Sequence, residues 1–302
     1  MTTTELVEVG TCQVCQGTQH TQLFEEPPFS VQRCTDCGLV FVSPRMTEED
    51  LHAEVYSESY WRSDRPREQG YADYAQDEEL YLKTFRRRFG LVNEHCPQPG
   101  RVLDVGCAAG FFLRTAKERG WDTYGVEPSA AIATNAQQHL GEDRVFVGVL
   151  GDAPPDRGFE PGSFDLVTMW DVVEHVPDPQ QLLRQARQML KPNGTLILET
   201  QNVSSRFANL LGRKWHHYKH REHLYHFNPD TVQRLLQQGG FDVLKNTASY
   251  GGKYVSFGFI AERAARLNGV LSFLLRPLAL FRNANVYLNF RDEMVVVARP
   301  SA

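Results

Sequence analysis

A short apolar run that ends in a loop of small residues is the feature that most constrains how this chain folds. Residues 102–110 read Val-Leu-Asp-Val-Gly-Cys-Ala-Ala-Gly, and residues 111–119 follow with a helical pattern. Gly106 and Gly110 allow a sharp turn that brings backbone amides beside a ligand. A strand that runs through such a loop into a helix is typical of an α/β sheet that binds a nucleoside-containing cofactor.

The carboxyl-terminal two thirds of the chain alternates between strand and helix patterns. We predict strands at 102–105, 123–126, 164–169 and 195–199, and helices at 111–119, 129–140, 179–190 and 231–238. Two further strand candidates, at 243–259 and 293–298, fit an antiparallel pair at the edge of the sheet. Repeated strand–helix units predict a doubly wound α/β sheet whose ligand lies at the carboxyl ends of the strands.

Four of the six cysteines form two CxxC pairs near the amino terminus. The pairs are Cys12 with Cys15 and Cys34 with Cys37, and 18 residues separate them. Two such turns supply the four thiolates that Zn²⁺ prefers, so the spacing predicts a structural zinc ribbon over residues 1–45. A disulfide pair and a redox CxxC motif are the alternatives.

Residues 46–95 are charged and aromatic with helical spacing, and we predict a helical connector or cap there. Its tyrosines fit packing, and the alternative is that Tyr71 or Tyr74 covers a ligand. A later apolar stretch, at 267–281, is interrupted by an Arg-Pro pair. That interruption favours a packed helical cover over a membrane contact.

The net charge of the chain limits the kinds of molecule that it is expected to bind. Lys and Arg number 32 against 37 Asp and Glu, so the net charge of −5 supplies no global basic field for a nucleic-acid backbone or an anionic membrane. The first residues lack the basic and apolar regions of a signal peptide, and no apolar run is long enough to span a membrane. We expect a cytoplasmic protein without a membrane segment, for which nucleic acid is not the expected partner.

Glu127 closes the strand after the glycine loop, where a carboxylate can accept hydrogen bonds from both ribose hydroxyls of a nucleoside. A dinucleotide site would carry the pattern GxGxxG, but Ala108 occupies the place of its middle glycine and Asp104 precedes Gly106. The loop therefore disfavours a pyrophosphate, and with it a nicotinamide oxidoreductase.

Four sequence motifs together resemble those of class I S-adenosylmethionine-dependent methyltransferases. They are DVGCAAG, YGVEPS, SFDLVTMWDVVEHVPDP and LKPNGTLILE, in family order and at family spacing over about residues 90–245. The resemblance implies a Rossmann-like, doubly wound, seven-stranded α/β sheet with an antiparallel edge strand, preceded here by the small zinc ribbon. It also implies that residues 96–302 form the S-adenosylmethionine-binding domain, with acceptor-side insertions at 203–228 and 255–290.

The same resemblance assigns a cofactor site. It implies that the glycine loop shapes the pocket for the methionine part, that Glu127 binds the ribose, and that the end of the fourth strand lies near the sulfonium and the acceptor. The implied cofactor-binding residues are Asp104, Gly106, Cys107, Ala108, Gly110, Glu127, Trp170 and Asp171.

Five of the ten histidines fall between residues 216 and 226. This run follows the fifth strand, so we expect it at the carboxyl edge of the sheet, above the cofactor methyl group. Methyl transfer to a hydroxyl or a carbon acid needs a base, and a histidine beside a carboxylate suits that task. His223 next to Glu222 is the candidate, with packing as the alternative. A second metal site built on His216 and His220 is a further alternative.

The run HREHLYHF also resembles two branches of the methyltransferases. One comprises sugar C-methyltransferases with a zinc ribbon, which carry Tyr-x-Glu-His-Leu, and the other comprises small-molecule methyltransferases with Arg-His-Leu-Tyr-His-Phe. Carried over residue by residue, Glu222 and His223 match the catalytic pair of the first branch, and His220 stands at its tyrosine position. The implied catalytic residues are therefore His223, Glu222 and His220.

The sequence predicts an enzyme that transfers a methyl group from S-adenosylmethionine to a small molecule, such as a sugar nucleotide or a biosynthetic intermediate. The alternative is an RNA or DNA methyltransferase that reads nucleic acid through the ribbon. Residues 169–175 read MWDVVEH where base-modifying enzymes carry NPPY or a Pro-Cys motif, which disfavours that alternative. A binding module without turnover would be expected to carry a damaged cofactor loop, and this loop is intact. The acceptor atom and the oligomeric state stay open.

Overall fold

A computed structural model describes residues 5–55, 77–261 and 280–301 of the protein. The strands are β1 (Leu6–Val7), β2 (His20–Glu26), β3 (Phe29–Cys34), β4 (Val40–Val42), β5 (Arg45–Met46), β6 (Arg101–Val105), β7 (Asp122–Glu127), β8 (Val145–Val147), β9 (Phe164–Trp170), β10 (Leu190–Gln201), β11 (Tyr225–His226), β12 (Phe241–Thr247), β13 (Lys253–Ser256), β14 (Asn285–Leu288) and β15 (Glu293–Pro300). The helices are α1 (Glu48–Val55), α2 (Glu78–His95), α3 (Phe111–Lys117), α4 (Ala130–Leu140), α5 (Pro179–Met189), α6 (Arg206–Leu211) and α7 (Pro229–Gln238). Tyr71, Tyr74 and most of the predicted cover at 267–281 lie outside the described residues.

Seven strands form one mixed sheet with the order β12-β15-β10-β9-β6-β7-β8. Neighbouring strands from β10 to β8 run parallel, and β15 runs antiparallel to both β10 and β12. This confirms the predicted doubly wound, seven-stranded sheet, with the antiparallel pair β12 and β15 at one edge. The chain continues from β6 to β7 on one side and reaches β9 on the other, so the topological switch point lies at the carboxyl ends of β6 and β9. A ligand crevice is expected at that point.

Alternate residues of the central strands enter two cores, one on each face of the sheet. In β9, Val167 and Met169 join the core that includes α5 and α7, whereas Leu166 and Trp170 join the core that includes α2, α3 and α4. The run from Leu166 to Trp170 is buried throughout. A strand buried on both faces explains why the sequence shows a continuous apolar run there rather than alternation.

A buried ion pair links α2 to the carboxyl end of β10. Arg88 Nη2 lies 2.5 Å from Glu199 Oε1, and the two side chains are 4% and 0% exposed. The Arg88 guanidinium also lies 4.9 Å from the centre of the Trp170 ring. The last part of the predicted connector, residues 78–95, is therefore a helix that packs directly on the sheet.

We expect Arg88→Met to lower the free energy of unfolding by about 3–5 kcal/mol, because Glu199 is left as an uncompensated buried carboxylate. Urea denaturation followed by circular dichroism measures the loss. The matched control is Arg86→Met on the same helix, where the arginine is 39% exposed and pairs with Glu79 at 3.4 Å. An exposed pair of this kind contributes less than about 1 kcal/mol. Equal losses in the two variants would contradict the expectation.

The ribbon forms a separate four-stranded sheet with the order β11-β4-β3-β2. Its outer strand β11 comes from far along the chain and pairs with β4, with Tyr225 opposite Phe41. The Arg45 Nη1 group donates to the Tyr225 hydroxyl at 2.7 Å, and Gln180 Nε2 donates to the Gln13 carbonyl at 2.7 Å. The amino-terminal ribbon is thus joined through main chain and side chains to β11, and through a side chain to α5. The division into residues 1–45, 46–95 and 96–302 stays a prediction.

Two details of the sheet differ from the sequence patterns. The stretch 243–259 is not one strand: β12 continues the main sheet, whereas β13 pairs with β14 in a separate hairpin. The break falls at Gly251 and Gly252, where an added Cβ would lie 2.7 Å from the Glu293 carbonyl oxygen and 2.5 Å from that of Leu288. Strand β8, which is three residues long, was not predicted. Among the described helices, none is both long and apolar enough to cross a membrane.

Candidate active site

The glycine loop lies at the switch point, between β6 and α3. Gly106 and Gly110 have φ angles of +72° and +76°, which glycine adopts without strain. An added Cβ at Gly106 would lie 2.7 Å from Val172 Cγ2, and one at Gly110 would lie 2.9 Å from Ala136 Cβ. Both positions therefore require glycine because of backbone conformation and packing within the protein.

Glu127 lies at the end of β7 beside the loop and is 3% exposed. Its two carboxylate oxygens accept hydrogen bonds from the Ala108 amide at 3.0 Å and the Ser129 amide at 2.8 Å. Burial raises the pKa of Glu127 to about 7, although these two amides oppose the shift. Because each carboxylate oxygen has two lone-pair positions, one on each oxygen remains for a ribose hydroxyl. The carboxylate is fixed by the loop and fits the role predicted for it.

Asp104 and Cys107 complete the buried polar wall of the loop. Asp104 accepts a hydrogen bond of 2.6 Å from the Thr168 hydroxyl, and burial raises its pKa to about 8. Cys107 packs against Gly125, where an added Cβ would lie 2.7 Å from the Cys107 sulfur. The structure brings these residues together with Ala108 and Glu127, as the predicted cofactor set requires.

Trp170 and Asp171 follow at the carboxyl end of β9. The Trp170 ring packs against Phe85 and Phe112, with ring centres 5.6 and 5.3 Å away. Its indole Nε1 is buried without a hydrogen-bond partner among the described residues. Asp171 has a left-handed φ of +55° and accepts from Lys253 Nζ at 3.1 Å. Both residues lie at the predicted edge of the sheet.

A charged network that the sequence did not reveal extends from Asp171 toward the start of β15. Lys253 Nζ lies 3.1 Å from Asp171 Oδ2 and 3.0 Å from Glu293 Oε1. Lys253 lies in a stretch that we interpreted only as a strand, and its partners are distant in sequence. This end of the sheet therefore combines acidic groups with the ammonium group of Lys253, whose side chain is 39% exposed.

His223 is 6% exposed and lies in the same region. Its Nδ1 lies 2.7 Å from the His217 carbonyl oxygen, so Nδ1 carries the proton and Nε2 keeps its lone pair. Burial lowers the pKa of His223 well below its usual value, which leaves the imidazole neutral.

His223 also belongs to a cluster with Glu174 and His175. Each of the three residues offers one ligand-type atom, and these atoms lie within 4.8 Å of one another, a spacing that could hold a metal ion. Glu174 and His175 were not predicted as site residues. Both lie in the motif MWDVVEH, where a carboxylate next to an imidazole could have indicated them.

The two other predicted catalytic residues have side-chain partners that differ from those of His223. The Glu222 carboxylate lies 2.6 Å from Lys219 Nζ, and both of its oxygens are buried. His220 Nε2 lies 3.0 Å from Glu26 Oε2 on the ribbon strand β2. Glu222 also lies close to His175, with which its backbone forms a hydrogen bond. His223 is the member of the trio whose ring nitrogen lies in one cluster with Glu174 and His175.

The four ribbon cysteines lie at the tips of two facing turns. One sulfur from each residue lies within 4.8 Å of the other three, with Cys12 to Cys37 at 3.5 Å and Cys15 to Cys34 at 3.4 Å. These distances exceed a disulfide bond of about 2.05 Å, and each of the six cysteines is a free thiol. Four converging sulfurs fit the tetrahedral donor set of zinc.

A family model described as a methyltransferase domain matches residues 74–246, more than half of the chain. The chain belongs to the methyltransferase-domain family. The match includes all of the residues that we predicted to bind the cofactor, from Asp104 to Asp171. It confirms the resemblance of this methyltransferase to the S-adenosylmethionine-dependent enzymes.

Curated relatives of the methyltransferase include a ubiquinone biosynthesis O-methyltransferase from Xanthomonas campestris pv. campestris (strain B100). It is 37% identical over 145 residues, which are 44% of this chain and 61% of the relative. A protein of the same name from Methylococcus capsulatus is 29% identical over 182 residues, or 55% and 76% of the two chains. The chain spans about three fifths of the length of the first Xanthomonas relatives that it matches, 61% for strain B100.

Solved structures share the fold of the methyltransferase. The Burkholderia thailandensis 1,6-didemethyltoxoflavin-N1-methyltransferase was solved with bound 1,6-didemethyltoxoflavin and S-adenosylhomocysteine. It has a TM-score of 0.51 at 15% identity, and the match covers 93% of this chain and 99% of that chain. A Haloferax volcanii methyltransferase complex with the activator Trm112 gives a TM-score of 0.53 at 16% identity, with 82% and 98% covered. At these identities the similarity is one of fold.

Proposed function

We propose that the protein transfers the methyl group of S-adenosylmethionine to a hydroxyl oxygen of a small biosynthetic intermediate, with His223 as the general base. The observation that carries the proposal is the neutral imidazole of His223, held through Nδ1 by a backbone carbonyl beside Glu174 and His175. The O-methyltransferase relatives support oxygen as the acceptor atom. The net charge of −5 favours a small molecule over nucleic acid.

The glycine loop and Glu127 would hold the cofactor. Each oxygen of the Glu127 carboxylate accepts one backbone amide and retains a lone pair for one ribose hydroxyl. Trp170 Nε1, which has no hydrogen-bond partner among the described residues, offers a buried donor at the neighbouring strand end. When bound, S-adenosylmethionine supplies an electrophilic methyl group. The residues around it have to orient the acceptor in line with that group and exclude water.

His223 would remove the acceptor proton. Because Nδ1–H donates to the His217 carbonyl, the lone pair of Nε2 is the basic position of the ring. The adjacent His175 ring lies edge-on at 4.8 Å between centres and limits how His223 can rotate. A positioned base of this kind contributes about 10²–10⁴ in rate.

The four ribbon cysteines would bind a structural zinc ion. Their sulfurs converge, and the small ribbon core makes a metal the expected source of its stability. The absence of disulfide bonds among the six cysteines of the protein is consistent with a reducing compartment. This supports the proposal that the protein acts in the cytoplasm.

Calorimetric titration with S-adenosylhomocysteine tests the cofactor assignment without an acceptor. We expect saturable binding that NAD does not reproduce, and a weakening of about thirtyfold in Glu127→Gln, because the amide replaces one charged acceptor and costs about 2 kcal/mol. His139→Ala, on an exposed position of α4, is the matched control and should bind normally. Formation of S-adenosylhomocysteine with a panel of phenols, catechols and sugar nucleotides then tests the acceptor class. Absence of binding to zinc-replete protein would refute the proposed function.

We expect cofactor affinity to fall as the pH is lowered through 7. The Glu127 pKa is raised to about 7, so its carboxylate becomes protonated below that pH and loses an acceptor position for ribose. The other titratable groups beside it are Asp104, held by Thr168, and the Cys107 thiol. One linked proton gives a rise of about tenfold in Kd for S-adenosylhomocysteine between pH 8 and pH 6. In Glu127→Gln the Kd should change less than about twofold over this range, and an equal slope in both proteins would contradict the assignment.

A further inference from the structure

Two neighbouring histidines and an aspartate form a cluster that the proposed reaction does not use. His216 Nε2 and His217 Nε2 each lie 3.8 Å from Asp292 Oδ2. One ligand-type atom from each of the three residues lies within 4.8 Å of the other two. Metal–ligand bonds of about 2.0–2.1 Å in a tetrahedral site place ligand atoms about 3.4 Å apart, so a single ion needs shifts of only a few tenths of an ångström to about 1 Å.

The carboxylate of Asp292 is held in place by residues that are not part of the cluster. Trp215 Nε1 donates to Asp292 Oδ2 at 2.9 Å, and the Asn202 amide donates to the Asp292 carbonyl oxygen at 2.7 Å. Asp292 is 4% exposed. Ligating carboxylates are oriented by hydrogen bonds of this kind, and Asp292 has one before any ion arrives.

The His217 ring supplies the second observation. Its Nε2 is buried and has no hydrogen-bond partner in the part of the chain that the structure describes. The nearest carboxylates are Asp292 and Glu293, with Glu293 Oε1 at 3.5 Å. Glu293 shares Lys253 Nζ with Asp171, at 3.0 and 3.1 Å respectively. A buried imidazole nitrogen aimed at carboxylates without a hydrogen bond points to a missing cation between them.

We propose that His216, His217 and Asp292 bind a divalent transition-metal ion, such as Zn²⁺, at a site separate from the ribbon cysteines. Two imidazole nitrogens and one carboxylate oxygen form a donor set suited to zinc, iron or nickel rather than to magnesium or calcium. Three protein ligands leave at least one coordination position for water or a ligand oxygen. The His217 carbonyl also holds His223 Nδ1 at 2.7 Å, so an ion at His217 would fix the carbonyl that orients the proposed base.

The site is tested by metal stoichiometry and needs no acceptor, so its outcome does not depend on the proposed function. Full-length protein is dialysed against buffered Zn²⁺ and its metal content measured by mass spectrometry, with Co²⁺ as a spectroscopic substitute. We expect two zinc ions per chain, one of them without thiolate charge-transfer absorption in the cobalt form. His217→Ala and Asp292→Asn should bind one ion, or bind the second about 100-fold more weakly.

Three further variants make the test specific. His216→Ala removes a ligand whose side chain is 50% exposed, so it tests the site even if the buried variants fail to fold, and it should weaken the second ion at least tenfold. His139→Ala should keep both ions. His175→Ala distinguishes this site from the nearby Glu174–His175–His223 group and should also keep both. One zinc ion in the unaltered protein, or a second ion lost in His175→Ala but kept in His216→Ala, would overturn the proposal.

Discussion

Replacing Cys34 with serine will unfold the ribbon and free the strand Tyr225–His226 from its partner β4. Structural zinc contributes about 10 kcal/mol or more to the folding of small domains, and Cys34 is one of its four proposed ligands. The Val42 amide donates to the Leu224 carbonyl at 3.0 Å, so loss of the ribbon removes a main-chain partner of the segment that contains β11. Hydrogen exchange at Val42 should accelerate by about 10³-fold, which corresponds to roughly 4 kcal/mol of lost local stability.

The control for this experiment is Cys96→Ser. Cys96 follows α2 and is not a member of the cysteine cluster. Its substitution should leave zinc content and the exchange of the Val42 amide unchanged. Full protection of Val42 in Cys34→Ser protein without zinc would show that the ribbon folds without its metal, and the structural role proposed for the zinc would then be wrong.

Replacing His223 with alanine will lower the turnover number by about 10²–10⁴-fold, the range that a positioned base contributes. The affinity for S-adenosylhomocysteine should stay within about twofold, because Glu127 and the glycine loop are untouched. Turnover is measured as S-adenosylhomocysteine released with the best acceptor of the panel. Added imidazole should restore part of the activity, since a small base can enter the cavity that the ring leaves.

Two comparisons separate a base from a packing residue. His139→Ala controls for histidine substitution at an exposed position and should keep full turnover. Glu222→Gln tests the pair predicted from the sequence. Because the Glu222 carboxylate contacts Lys219 at 2.6 Å, we expect loss of its charge to affect turnover only by displacing the segment around His223. A turnover number for His223→Ala within threefold of the unaltered protein, with no response to imidazole, would exclude the base role.

The sequence predicted the central sheet well because local patterns determine it. The apolar run of β9, the glycine loop and the helix after it are each encoded within a few residues. The two CxxC turns likewise act locally, since each places two sulfurs on one side. Strand β8 was missed because three residues provide too short a pattern to separate from a loop.

The candidate site was less predictable because its contacts join distant parts of the chain. Lys253 reaches both Asp171 and Glu293, and Arg88 pairs with Glu199 across 111 residues. No periodicity encodes such pairs. Adjacency along the chain does not determine side-chain partners: the Glu222 carboxylate contacts Lys219, whereas the His223 ring contacts the His217 backbone. What the sequence did indicate was the density of titratable groups between residues 216 and 226.

The pairing of β11 with β4 bears on how such a protein can be recombined. The boundary at residue 45 suggests a ribbon that could be exchanged between homologous enzymes as one cassette. The ribbon sheet, however, takes its outer strand from Tyr225–His226, and Arg45 donates to the Tyr225 hydroxyl. A chimera that swaps only the first 45 residues would therefore join a foreign β4 to a native β11. A functional graft has to carry residues 224–226 together with the ribbon, because the structural unit that is exchanged is discontinuous in sequence.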